Sequence, residues 1–197
     1  ATDLLPAYLA VGPDELKRNK MVERLKKRLN ESFSAFNLDE FTGSTVDIDV
    51  LVSALQTMPM GDSRRIVILR EADKLSKAAS EVVILYLENP NPTTTLLLTA
   101  QTLARTTRLY KAVAKIGEKS VVLCASMKPR ELAPYVQKLA ASYGLVIDFS
   151  AAQELVDRVG DSTTMLDAQV KTLAALSDGQ PITTSFVEQH IARVAEV

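Results

Sequence analysis

Cysteine, tryptophan and histidine are almost missing from this sequence: one Cys, no Trp and one His in 197 residues. A single thiol excludes an internal disulfide and a cysteine-based metal cluster. That thiol, Cys124, ends the apolar run Val121-Val122-Leu123-Cys124, a setting for a buried inert sulfur rather than a nucleophile. The lone His190 falls in the last helical stretch and is read as a surface or packing residue. An excess of one charge is also lacking. With 23 Lys and Arg against 24 Asp and Glu, no chain-wide footprint for nucleic acid or membrane is expected, although local patches remain open. No apolar run approaches the roughly 20 residues of a membrane span. The opening Ala1 to Ala10 lacks the basic start of a signal peptide, and the missing initiator Met suggests a trimmed start. A reducing, cytoplasmic location and no membrane partner are therefore expected.

What is present is an alternation of short apolar runs with helical patterns. Ala7–Val11, Phe36–Phe41, Arg65–Leu69, Thr94–Thr99 and Ser120–Cys124 have the length and composition of strands buried on both faces. Between them Val22, Leu25 and Leu29 share a face after a cap at Asp14, and Ile48, Leu51, Leu55 and Met58 share another. A third helix is expected from Ser76 to Asn89, stopped by Pro90 and Pro92, and a fourth from Arg105 to Lys115. Five strands separated by four helices read as an α/β domain with a parallel sheet and right-handed crossovers.

The pattern changes after Cys124. Residues 128–197 read as four short helices without a strand, so the boundary is drawn between 127 and 128. Leu132, Val136 and Leu139 line the first, where Pro134 is tolerated if it falls near the first turn. Gly144 is a natural stop, Ser150 with Gln153 reads as a capping box, and Gly160 ends the second helix. Met165, Leu166, Val170 and Leu173 define the third, while Ile182 and Val187 flank a cap at Thr183 in the last.

The first strand runs into Gly12 and a helix, the place of a phosphate-binding P-loop. A working loop needs a second Gly, then Lys and a Ser/Thr hydroxyl. Here those positions hold Lys17, Arg18 and Asn19, Pro13 removes an amide donor, and Asp14 and Glu15 add negative charge. After Ile66-Val67-Ile68-Leu69 an ATPase would place Asp-Glu for magnesium and water; this chain has Arg70-Glu71. Glu71 and Asp73 read as solvated carboxylates, not as surviving acids. No cofactor, metal or catalytic residue is expected. The basic face of the first helix, Lys17, Lys20, Arg24, Lys27 and Arg28, reads as a solvated face, with contact to DNA phosphates or an acidic protein rim as the alternative.

The run from Leu55 to Leu75, with Met58-Pro59-Met60-Gly61-Asp62-Ser63-Arg64-Arg65 at its centre, resembles the delta subunit of the bacterial DNA polymerase III clamp loader. So do Tyr86-Leu87-Glu88-Asn89-Pro90, Lys128-Pro129-Arg130-Glu131-Leu132 and the Gly160-Asp161 turn. These matches occur in order over nearly the whole chain. The resemblance implies a five-stranded parallel P-loop/AAA+-like domain over 1–127 and a small all-helical lid over 128–197. It implies a non-catalytic part of the DNA polymerase III holoenzyme that binds and opens the sliding clamp (beta) during replication. The gamma/tau and delta prime subunits would join it through a third, C-terminal domain, and DNA would be met in the full complex. That third domain would begin where the sequence stops at Val197, so a monomeric fragment of two domains is expected. The clamp contact carries over to Met60 and Gly61 with Met58 and Pro59 beside them, Gly61 standing where the family commonly has a bulky residue. Met58 is expected in the helix stripe and Met60 exposed. The alternative is a divergent P-loop ATPase with a shifted cradle, which measurable ATP binding would support.

Overall fold

Short apolar runs pair in parallel wherever helices can cover both faces, and the computed structural model, which describes residues 4–193, shows that arrangement in its first part. The strands are β1 (Ala7–Val11), β2 (Leu38–Thr42), β3 (Arg65–Arg70), β4 (Thr94–Ala100) and β5 (Val121–Leu123). They form one five-stranded parallel sheet in the order β2-β3-β4-β1-β5, with Ala7 opposite Leu96 and Val11 opposite Ala100. Helices α1 (Glu15–Lys26), α2 (Ser34–Asn37), α3 (Ile48–Gln56), α4 (Lys77–Glu88) and α5 (Arg108–Ala114) connect them.

Alternate residues of each strand enter different cores, as the period of a pleated strand requires. Val67, Leu69, Leu96 and Leu98 pack with Leu51, Leu55, Val83 and Val113 of α3, α4 and α5. Ile66, Ile68 and Leu97 face the other way, against Val22, Leu25 and the following Leu29. Each such buried Leu or Ile contributes roughly 1.5–3 kcal/mol of apolar burial. Asp14 caps α1 by accepting the Lys17 N–H at 3.0 Å.

The chain divides into two compact units, 1–125 and 126–197. The second holds α6 (Pro129–Ser142), α7 (Phe149–Val159), α8 (Thr163–Leu176) and α9 (Thr184–His190) around Leu132, Val136, Leu155, Leu166, Leu173 and Val187. Its connecting segments meet at a bridge between Ile147 and Ile182. Tyr143 donates to Asp167 Oδ1 at 2.7 Å, and Lys171 pairs with the other carboxylate oxygen at 2.7 Å, locking α8 to the end of α6.

Several expectations are corrected. The second strand begins at Leu38 instead of Phe36, because the preceding residues close into the short helix α2 and leave Phe36 57% exposed. Helix α5 starts at Arg108, where Thr107 accepts the Tyr110 N–H, and so is shorter than Arg105 to Lys115. The cap of α7 is Asp148, which accepts the Ala151 N–H at 2.7 Å; Ser150 lies inside the first turn and donates to that same carboxylate. Pro134 sits in the second turn of α6, since the helix opens at Pro129, so the Arg130 carbonyl has no N–H four residues on. Met165 lies on the exposed side of α8, while Leu166, Val170 and Leu173 are buried.

Candidate functional site

In a strand order of this kind the ligand crevice lies beyond the C-terminal ends of the strands, where β1 and β4 send their connections in opposite directions. A cleft of about 200 Å³ lies there, lined by Arg18, Asn19, Arg70, Glu71, Thr99 and Gln101 among others. The chain itself occupies several polar groups around it. The Gly12 N–H goes to Ala100 O at 3.1 Å, Pro13 has none to give, and the Asp14 N–H goes to Cys124 O at 2.9 Å. Those amides are thereby withdrawn from any phosphate. Gly12 has φ 143°, and a Cβ there would stand 2.2 Å from Cys124 O, so the loop passes too close to β5 for any other residue.

The cations are engaged in the same way. Arg18 Nη1 donates back to Gly12 O. Lys17 Nζ donates to Ala125 O at 3.0 Å and pairs with Asp14 Oδ2 at 3.3 Å. Arg70, at the end of β3, reaches Asn19 Oδ1 at 2.9 Å and Glu40 Oε2 at 3.3 Å. Glu40 also takes Lys26 Nζ at 2.5 Å. Partial burial works to raise the Glu40 carboxyl, but Lys26 and Arg70 together outweigh it and hold the group below its ordinary range. Glu71 adopts a left-handed backbone (φ 54°), with its carboxylate accepting from Lys74 at 2.8 Å and Ser44 at 3.3 Å. Asp73 Oδ1 accepts the Gln101 N–H at 3.3 Å. Where a magnesium ion and its carboxylate would be, a guanidinium stands in a ring of its own partners. Cys124 is buried, which pushes its thiol up and away from reactivity.

The second feature lies at the other end of β3, in the loop between α3 and that strand. Helix α3 stops at Gln56 because Thr57 turns extended (φ −68°, ψ 134°). That break takes Met58 off the helical stripe: it is 66% exposed, against the expectation of a core residue, and its sulfur lies 3.9 Å from Thr93 Oγ1. Met60 is 58% exposed, and Pro59 between them is half-buried.

The loop is held from one side by residues 30–37. Asn37, fully buried, accepts the Met60 N–H at 2.8 Å and donates to Met60 O at 2.7 Å and to Phe33 O at 3.2 Å. Asp62 Oδ2 accepts the Asn30 N–H at 2.8 Å, and that bond, with Ser63 and Arg64 adding to it, keeps the Asp62 carboxyl low. Gly61 has φ 65°, and a Cβ on it would stand 2.6 Å from the Phe33 ring, so this position admits no bulky side chain. Sequence reasoning named Met58, Pro59, Met60 and Gly61 but missed Asn30, Phe33 and Asn37. Nothing local marks a buried Asn two dozen residues upstream as a loop anchor.

The sheet order, the Gly-led turn after β1 and the helices on both faces define an α/β P-loop/AAA+-like fold whose loop amides at Gly12 and Asp14 are bonded to the chain's own carbonyls. The chain belongs to the DNA polymerase III delta subunit family, whose model matches residues 8–125. The Bacillus subtilis DNA clamp loader delta protein shares its fold with a TM-score of 0.72 and 22% identity, over 96% of this chain and 59% of that one. The Thermotoga maritima RuvB Holliday junction branch migration motor superposes with a TM-score of 0.62 and 16% identity, over 95% of this chain and 61% of that one. The chain thus spans about three-fifths of the length of these structures. No curated protein matches it in sequence. Among the described residues no helix is long and apolar enough to cross a membrane.

Proposed function

We propose that this protein is a non-catalytic arm of a clamp loader, which docks the loop around Met60 on the ring-shaped sliding clamp and favours the opened ring. The observation that carries this reading, beside family membership, is the loop itself: Met58 and Met60 stand exposed on a backbone held in place by a buried Asn. An adaptable thioether on a fixed backbone suits an apolar pocket on a partner. Ring opening follows if the loop binds the opened ring more tightly than the closed one, since a ligand shifts an equilibrium only by its differential affinity. Hydrolysis of ATP would fall to other subunits. Gamma/tau and delta prime partners, and DNA in the assembled complex, belong to the same reading.

The alternative of a divergent ATPase finds little support in the cleft. Its cations already have internal partners, and Glu15, Glu71 and Asp73 along its wall oppose a triphosphate. Surface binding to the clamp of the same organism tests the proposal. Met60→Asp is expected to weaken binding by about 2 kcal/mol or more, as loss of a central anchor does. Equal affinity of Met60→Asp and the unchanged chain would remove the loop from the contact.

A further inference from the structure

We infer that Asn37 is the positioning residue of the docking loop, fixing the direction in which Met60 points before any partner arrives. The inference rests on the reading that this loop is the contact with the clamp. Its ground is the matching of groups. An amide side chain offers an acceptor and two donors, and Asn37 uses them on the N–H and the C=O of one and the same residue, Met60, at 2.8 and 2.7 Å. These groups flank the Met60 Cα, so holding both sets the direction of its Cα–Cβ bond. The second donor ties the amide to Phe33 O at 3.2 Å, in the segment whose ring closes over Gly61. A Leu of similar size could fill the space but would hold neither Met60 group; an Asp would keep the acceptor and lose both donors.

The consequence is preorganisation. A loop already fixed pays little ordering entropy on docking, and a loop released from its strut pays it at the moment of binding. Asn37 touches no partner in this account and acts only through Met60. A merely structural role would lower the melting temperature and reduce binding in proportion to the unfolded fraction. A positioning role weakens binding by chain that is still folded.

The test uses this protein with Asn37→Ala, Asn37→Leu and Met60→Asp, read by amide hydrogen exchange of the free protein and by affinity for the sliding clamp. In Asn37→Ala the amides of Met60 to Ser63 are expected to exchange faster, those of Ile66 to Leu69 to stay protected, and clamp affinity to fall about tenfold. Asn37→Leu, which fills the space but holds neither Met60 group, should match the Ala variant in exchange and affinity, and it carries the comparison if the Ala variant unfolds. The inference is overturned if exchange at Met60 is unaltered in both variants. It is also overturned if exchange rises while affinity holds and Met60→Asp still abolishes binding. Failure of the unchanged, folded protein to bind the clamp would instead sink the proposed function, and the exchange result alone would then decide whether Asn37 holds the loop.

Discussion

Arg70 Nη1 donates a 2.9 Å hydrogen bond to Asn19 Oδ1, joining the end of β3 to the place in α1 where a working phosphate loop carries its metal-binding hydroxyl. Both residues depart from the ATPase pattern, and the departures fit each other. A guanidinium replaces the metal-binding carboxylate, and a carbonyl oxygen replaces the hydroxyl. Glu40 and Lys26 extend the pair into a chain of alternating charge that fastens α1 to β2 and β3. The P-loop/AAA+-like scaffold is kept here with Arg18 and Arg70 of its cleft held by internal partners.

One consequence concerns ATP. Titration calorimetry with magnesium-ATP is expected to show no saturable binding, and Arg70→Ala should not create any. That variant should instead cost about 1 kcal/mol of stability, as loss of a half-exposed charged hydrogen bond does. Saturable binding below millimolar ATP by the unchanged protein would favour the ATPase reading.

A second consequence concerns Gly61. Gly61→Ala should cost about 1–2 kcal/mol for the left-handed backbone alone, with more from the clash of its Cβ with the Phe33 ring. Adding Phe33→Ala should relieve the clash but not the backbone cost, so a double-mutant cycle on thermal stability separates the two. Full recovery in the double variant would mean that the backbone does not hold that conformation in solution.

The fold was legible because its signals are local. Ile66 to Leu69 and Leu96 to Leu98 have the length of strands buried on both sides, and Gly12 with Asp14 marks the turn into α1. The degenerate cradle was equally legible, because Lys17, Arg18, Asn19 and Arg70 can be compared position by position with a pattern whose chemistry is known. What the sequence concealed depends on contacts distant along the chain. Met58 continues the spacing of Leu51 and Leu55, and only the break at Thr57 shows that it leaves the stripe. Phe36 looks like the start of a strand, but Asn37 turns inward to Met60 and the chain closes into a short helix first. Ser150 with Gln153 has the spacing of a capping box, yet the helix opens two residues earlier, where Asp148 accepts the Ala151 N–H and takes the cap.

Acid should loosen the loop before it unfolds the sheet. The Asp62 carboxyl is held below its ordinary 3.8 chiefly by the Asn30 N–H, so its tie is at full strength above that value and is lost as pH falls through the lower folded value. Amide exchange at Asn30, corrected for the intrinsic dependence on pH, is expected to lose protection below about pH 3.8 while Leu97 stays protected. Asp62→Asn should abolish that local transition. Simultaneous loss of protection at both residues would mean that the tie opens only with the whole unit.

As proposed, this protein opens the sliding clamp by gripping it and leaves ATP hydrolysis to other subunits. Sedimentation velocity of the sliding clamp mixed with excess chain tests this most directly. The intact ring is expected to give way to an opened or dissociated clamp bound to this protein, with Met60→Asp leaving the ring unchanged. A ring that sediments unaltered, with the folded, unchanged protein running free beside it, would contradict it.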